Sequence, residues 1–148
     1  MTANDLTSRT AISVRYAECD AMGIAHHASY LPWLEIGRTD FIAAAGRRYR
    51  DLEREGFFLP VAGLSVEYRH PVRYDDPLLV TTRLVALSAV RVEFSYRIHD
   101  AAGRECTRAI TRHAVTGRDG RVTRLPAPVL ALLKSRICSD DFSPGVTA

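Results

Sequence analysis

Cysteine is scarce in this sequence, and the few cysteines are poorly placed for covalent or metal chemistry. Cys19, Cys106 and Cys138 are odd in number, and none belongs to a CxxC motif. This pattern argues against a disulfide framework and against a structural zinc site. We therefore expect reduced thiols and no bound metal ion.

Long apolar runs are missing as well. No stretch approaches the roughly 18 apolar residues that a membrane-spanning helix needs. The amino terminus has neither the basic nor the apolar region of a signal peptide. We therefore expect no membrane insertion and a cytoplasmic location. The length of 148 residues suits a single domain, 1–148, in which about 139–148 form a flexible tail.

Lysine is almost absent, because Lys134 is the only lysine among 20 basic residues. The net charge of +3 is too small to support nucleic-acid binding by itself. Arginine, however, pairs with phosphate in a bidentate manner that lysine cannot match. The composition is therefore compatible with a phosphorylated small ligand.

Several catalytic and nucleotide-binding signatures do not occur. The sequence contains no GxSxG motif, no P-loop, no GxGxxG motif and no recognisable Cys/His pairing. Several common enzyme classes thereby lose support.

The sequence does contain one long helical pattern between strand patterns. Apolar residues at helical spacing from Tyr30 to Ala45 predict a helix of about 17 residues, with Ser29 as its N-cap and Gly46 as its stop. Apolar or small residues occupy most of its circumference, so we expect it to be covered on nearly every side. Strands are predicted at 11–16, 57–74, 77–88, 90–100 and 104–117, with a closing helix at 127–137. This order predicts an α+β fold in which a long central helix is wrapped by a five-stranded antiparallel sheet, the four later strands being neighbours in a meander.

Asp20 lies in a glycine-containing loop shortly before the predicted helix. Its spacing alone favours an exposed loop residue or a capping residue. In the functional alternative, the free N–H groups and the positive dipole end at the helix start keep this carboxylate ionised. The same groups could polarise a carbonyl beside it, which would make a minimal acyl-transfer site.

Three further polar residues follow in the same region. His26 and His27 are adjacent, so their side chains diverge, and they lack HExxH-like spacing. A packed or hydrogen-bonding role is therefore favoured over metal binding. Glu35 lies within the predicted helix and either pairs with Arg38 at i,i+3 or has a functional role in an enclosed environment.

The segment DAMGIAHHASY at 20–30, followed by WLE at 33–35, resembles the signature of hotdog-fold acyl-CoA thioesterases. The resemblance is to the 4-hydroxybenzoyl-CoA thioesterase class, particularly its YbgC-like branch. VEYRHPVRYDDPLLVTTRL at 66–84 resembles the strand-turn-strand that follows in this family. The resemblance implies the hotdog fold and hydrolysis of an acyl-CoA to a carboxylic acid and free coenzyme A. Coenzyme A is then part of the substrate, and no cofactor is implied.

The resemblance also assigns roles to residues. The family's catalytic aspartate falls on Asp20, as nucleophile or as general base for water, and its carbonyl-polarising backbone N–H falls on His27. Glu35 is the second candidate, since some hotdog thioesterases place the catalytic carboxylate on the central helix. Further substrate-binding positions lie in the signature, on the second subunit's strand and among the arginines that could meet coenzyme A phosphates: Gly23, His26, Tyr30, Trp33, Ala62, Gly63, Leu64, Arg69, Arg73 and Arg91.

The family forms homo-oligomers, so the resemblance implies a dimer or a dimer of dimers with the active sites at the dimer interface. Two alternatives stay open. The protein could act on acyl carrier protein, whose phosphopantetheine would meet the arginine patch, or it could be a non-catalytic acyl-CoA-binding module.

Overall fold

A single antiparallel sheet and one long helix form the framework of the protein. The computed structural model describes residues 5–138, and the predicted tail at about 139–148 lies outside the described residues. Within 5–138 the strands are β1 (Ser8–Ser13), β2 (Val61–Tyr68), β3 (Pro77–Leu87), β4 (Arg91–Asp100) and β5 (Glu105–Ala114). The α-helices are α1 (Tyr30–Ala45), α2 (Tyr49–Arg54) and α3 (Ala127–Lys134).

The strand order in the sheet is β1-β3-β4-β5-β2, with every pairing antiparallel. β3, β4 and β5 form the predicted meander. The expectation that β2 belongs to the same run of neighbours is wrong, because β2 pairs with β5 at the far edge. The connection from β2 to β3 does not form a hairpin. This connection is hydrogen-bonded to the loop before α1. The Ala25 N–H donates to the Val72 carbonyl at 2.8 Å, and Ile24 and Arg73 form an isolated antiparallel β-bridge.

Helix α1 packs across one face of the sheet. Phe41 is fully buried, and its ring meets that of Phe94 on β4 edge-on at 5.6 Å. Gly37 marks the closest approach, because a Cβ atom there would stand 2.6 Å from Thr82 Oγ1 on β3. The opposite face of α1 carries exposed residues, including Glu35 and Ile36. The expectation of cover on nearly every side is therefore wrong for one chain, since a single sheet covers only one side of a helix.

The ends of α1 lie where the sequence predicts them. The helix begins at Tyr30, and Gly46 ends it with a left-handed φ of 116°. Ser29 is the N-cap residue but its side chain does not cap the helix. Its hydroxyl instead donates to the Glu18 carbonyl at 2.8 Å.

Other boundaries differ from the predictions. β1 lies at Ser8–Ser13 rather than 11–16, and β2 occupies only the middle of the predicted 57–74. Pro60 and Pro71, which cannot donate to a strand partner, flank β2. α2 was not predicted, and α3 ends at Lys134 rather than at 137.

Within residues 5–138, no helix is long and apolar enough to cross a membrane.

Candidate active site

Asp20 is held in a tight turn that leaves its side chain exposed. Its backbone N–H donates to the Ile24 carbonyl at 2.8 Å, and its carbonyl accepts from the Gly23 N–H at 3.0 Å. Gly23 has a φ of 78°, a left-handed conformation that glycine adopts without strain. The Met22 N–H donates to Asp20 Oδ1 at 2.8 Å. One carboxylate oxygen of the exposed Asp20 thus stabilises the turn.

The two histidines lie between this turn and α1. His26 Nδ1 accepts a hydrogen bond from the Ala28 N–H at 3.1 Å. The two imidazole centroids lie 4.1 Å apart with the ring planes tilted by 32°, so the expectation that the two side chains diverge is wrong. The His27 backbone N–H donates to no acceptor in the part of the chain that the structure describes. It therefore remains available at the start of a helical segment, where the dipole favours negative charge.

Asp20 and His27 line the same pocket, which has a volume of about 380 Å³. Tyr30, Tyr68 and Arg69 line it as well. The Tyr68 hydroxyl donates to the His27 carbonyl at 2.7 Å, and its ring meets that of Tyr30 edge-on at 5.0 Å. Burial raises the pKa of both phenols, so both are uncharged at neutral pH. The lining thus includes an exposed aspartate, a histidine whose backbone N–H has no acceptor within residues 5–138, two neutral tyrosines and an arginine.

A buried carboxylate lies directly before the turn. Glu18 is only 7% exposed, yet it accepts hydrogen bonds from Trp33 Nε1 at 2.8 Å and from the Arg15 N–H at 2.8 Å. The Arg15 Nε lies 3.3 Å away. Burial raises the pKa of Glu18, but these hydrogen bonds outweigh burial and hold the pKa below its usual range. Glu18 is therefore ionised at neutral pH.

Trp33 was predicted to bind substrate, but in this chain it lies behind the pocket. It is 3% exposed, and its ring meets that of Tyr30 edge-on at 4.7 Å. It therefore supports the wall that Tyr30 forms.

Arg73 lies close to the turn, because a Cβ atom on Gly23 would be 3.8 Å from Arg73 Nη1.

The remaining predicted residues are not brought to Asp20 within one chain. Ala62, Gly63 and Arg91 line a separate groove of about 430 Å³. Leu64 is exposed on β2.

Glu35 lines a third cleft, of about 240 Å³, together with Arg38. The ion pair with Arg38, one of the two roles expected for Glu35, does not form. Arg38 donates instead to the Tyr96 hydroxyl at 3.2 Å. Across residues 5–138, no group of three or more His, Cys, Asp or Glu side chains is placed to hold a metal ion.

A profile of the thioesterase-like superfamily matches residues 14–133, which include the Asp20 turn, α1 and strands β2 to β5. The chain belongs to the thioesterase-like superfamily. This membership confirms the resemblance on which the sequence-based prediction rested, and the observed sheet and helix confirm the hotdog fold.

Similar curated proteins and solved structures carry names that agree with this family. YneP of Bacillus subtilis (strain 168), provisionally named an acyl-CoA thioesterase, is 35% identical over 112 residues, which are 76% of this chain and 81% of that protein. The acyl-CoA thioester hydrolase YbgC of Escherichia coli O6:H1 is 31% identical over 98 residues, 66% of this chain and 73% of that protein. The DHNA-CoA thioesterase of Staphylococcus aureus is 32% identical with a TM-score of 0.83, covering 87% of this chain and 89% of that one.

Two site residues escaped the sequence-based prediction. Tyr68 lines the pocket and donates to the His27 carbonyl, and Glu18 accepts from Trp33 Nε1, so both are linked to the site by contacts between residues distant in sequence. The segment YAECD does place an acidic residue two positions before Asp20. It carries no signal that this residue is buried.

Proposed function

We propose that this member of the thioesterase-like superfamily hydrolyses acyl-CoA thioesters to a carboxylic acid and free coenzyme A. The observation that carries the proposal is that Asp20 and His27 line one cavity, that Asp20 is exposed and that the His27 backbone N–H has no acceptor within residues 5–138. The names of the relatives at 31% to 35% identity support the same activity.

In the proposed mechanism, the His27 N–H donates a hydrogen bond to the thioester carbonyl oxygen. Asp20 then either attacks the carbonyl carbon or removes a proton from a water molecule that attacks it. In the first route the C–S bond breaks, coenzyme A leaves as the thiolate, and water hydrolyses the resulting anhydride to regenerate Asp20. In the second route the attacking water supplies the new C–O bond directly, and the proton on Asp20 passes to the leaving sulfur.

The oxyanion that forms in either route is stabilised by the His27 N–H and by the helix dipole. A single such donor contributes about 3 kcal/mol to lowering the barrier. The donor must be aimed at the oxygen before reaction, so the geometry of the turn matters as much as the presence of the carboxylate.

We further propose that the working unit contains at least two chains, joined through β2. This strand lies at the sheet edge and exposes Val61, Leu64 and Tyr68, at 51%, 42% and 48%. An exposed edge with apolar side chains favours pairing with a second strand. In a two-fold pair of antiparallel β2 strands, the Tyr68 end of one chain lies beside the Val61 end of its partner. The partner's Ala62 to Leu64 would then approach the Asp20 pocket, as the sequence-based assignment of these residues requires.

Coenzyme A carries phosphates, and the arginines near the pocket are its proposed partners. Arg69 lines the pocket but is already paired with Glu105 at 3.3 Å and lies 3.6 Å from Glu67. Arg73 forms no ion pair with any residue in 5–138 and lies beside Gly23. Arg73 is therefore the better-placed free cation within one chain. Arg91 would join the site only from the partner's groove.

Thiol release from a panel of acyl-CoAs, including straight-chain and aromatic acyl groups, tests the proposal. We expect turnover well above the uncatalysed rate with at least one class. Release from acyl carrier protein but not from acyl-CoA would redirect the assignment to the carrier protein. Acyl-CoA binding without thiol release above background would contradict the enzymatic function.

A further inference from the structure

Glu18 connects the segment that carries Asp20 to both sides of the proposed oxyanion donor. Its backbone carbonyl accepts hydrogen bonds from the His26 N–H and the Ser29 hydroxyl, each at 2.8 Å. His26 and Ser29 flank His27 in the chain. The main chain of Glu18 is thus bonded to residues before and after the donor.

The Glu18 side chain makes a second connection, to α1. One carboxylate oxygen accepts from Trp33 Nε1 at 2.8 Å, in the first turn of the helix. The other oxygen accepts from the Arg15 N–H at 2.8 Å, on the strand side of the turn. A carboxylate suits this place because it only accepts, whereas an amide would direct N–H groups at one of these donors.

The separation along the chain makes this connection relevant to Asp20. Two residues span at most about 7 Å, so a displacement of Glu18 moves the backbone segment that carries Asp20. Because a buried charge without its partners is strongly unfavourable, the carboxylate has little freedom to move away from Trp33 and Arg15.

We propose that Glu18 is a positioning residue, which sets the placement of the Asp20 carboxylate relative to the His27 N–H. The proposal rests on the proposed thioesterase function. Glu18 contacts neither substrate nor reacting atoms and acts through Asp20. A misplacement of about 1 Å in such a site can lower the rate about 100-fold.

Glu18→Gln and Trp33→Phe test the proposal from the two ends of one hydrogen bond. Both variants weaken the link to α1, but Trp33→Phe leaves the charge of Glu18 in place. We expect each to lower kcat about 10- to 100-fold while KM changes about threefold or less. If Glu18 acted only through its charge, Trp33→Phe would keep the wild-type kcat, which would overturn the positioning role.

Asp40→Asn is the matched control. Asp40 is also a carboxylate that links α1 to another segment, since it accepts from the Thr10 hydroxyl at 2.7 Å, but it has no link to the Asp20 turn. We expect this variant to keep the wild-type kcat. A loss of kcat equal to that of Glu18→Gln would show that any weakened helix contact has the same effect, and would overturn the proposal.

Combination with Asp20→Asn separates positioning from general destabilisation. If Glu18 acts through Asp20, Glu18→Gln should not reduce the residual rate of Asp20→Asn any further. A further reduction by the same factor as in the wild type would overturn the proposal. If Glu18→Gln does not fold, Trp33→Phe in the same two backgrounds decides the question. The proposed function fails on a different result, namely an Asp20→Asn variant that retains normal turnover.

Discussion

The Tyr68 hydroxyl donates a hydrogen bond to the backbone carbonyl of His27 over 2.7 Å. Tyr68 is the last residue of β2, and His27 begins the short helical turn that leads into α1. The bond therefore joins the edge of the sheet, where we propose a second chain to pair, to the turn that carries the proposed oxyanion donor. Assembly and catalysis would share this contact.

Removal of that hydroxyl tests the contact. We expect Tyr68→Phe to lower kcat about fivefold, since a neutral hydrogen bond contributes about 1 kcal/mol. The melting temperature should fall by at most about 2 to 4 °C, because about 1 kcal/mol is the full contribution of such a bond and Tyr68 is 48% exposed. Steady-state kinetics and thermal unfolding provide the measurements. Tyr74→Phe, which alters an exposed tyrosine outside the pocket, should match the wild type, and a Tyr68→Phe variant that also matches it would disprove the contribution.

The approach of α1 to the sheet predicts an unusual effect at Gly37. In most helices, alanine in place of glycine stabilises by about 1 kcal/mol. Here the added methyl would stand 2.6 Å from Thr82 Oγ1 and 3.0 Å from Val80 Cγ1. We therefore expect Gly37→Ala to lower the free energy of unfolding by about 1 to 3 kcal/mol in denaturant titrations. Thr82→Ala in the same chain should recover part of this loss, whereas a stabilising Gly37→Ala would refute the close approach.

The buried His113 predicts a dependence of stability on pH. Burial lowers its pKa from 6.5 to about 4. Between these values the unfolded chain binds a proton that the folded chain does not, so the free energy of unfolding falls as the pH is lowered. The full effect amounts to at most about 3 kcal/mol.

Chemical denaturation between pH 5 and about 6.5 tests this decline above the range in which Glu18 contributes, since the pKa of Glu18 lies below its usual value. His113→Asn can still donate to the Leu59 carbonyl, which lies 2.8 Å from Nδ1 in the wild type. We expect this variant to be less stable at neutral pH but to show a flatter decline. His99→Asn should retain the wild-type decline, and an unchanged slope in His113→Asn would rule out the assignment.

The exposed edge strand predicts an effect of charge on assembly. We expect Leu64→Lys to shift the protein from dimer to monomer in sedimentation velocity and to lower thiol release with it, because a lysine on an edge strand opposes pairing with a second strand. Leu79→Lys is the control. Leu79 is 36% exposed but lies on β3, inside the sheet, so the dimer should persist. A wild-type protein that sediments as a monomer would contradict pairing through β2.

Local signals explain which parts of the fold the sequence predicts. The ends of α1 follow from Pro32, which fits only a first turn, and from Gly46, which adopts a left-handed φ. The position of β2 at the far edge does not follow from any local pattern. It depends on contacts between the β2–β3 connection and the Asp20 turn, which are distant in sequence.

The same distinction applies to the site. Asp20 and His27 were found through a contiguous motif, and spacing alone left Asp20 as an ordinary loop residue. The bonds from Glu18 to Trp33 and from Tyr68 to His27 connect residues 15 and 41 positions apart. Such pairs leave no periodic trace in a single sequence. Glu35 shows the opposite error. The apolar pattern of the helix predicted an enclosed environment for this residue, but within one chain Glu35 lies on the exposed face of α1.

Turnover of acyl-CoA by Asp20→Asn, measured beside Glu35→Gln, tests the central claim most directly. Both substitutions remove one charge at an exposed position, so both variants should fold with wild-type circular dichroism spectra. We expect Asp20→Asn to lower kcat about 100- to 10,000-fold, the range over which a positioned acid or base acts, and Glu35→Gln to retain most of the activity. Near-normal turnover in Asp20→Asn together with loss of activity in Glu35→Gln would contradict the claim and transfer the chemistry to the central helix.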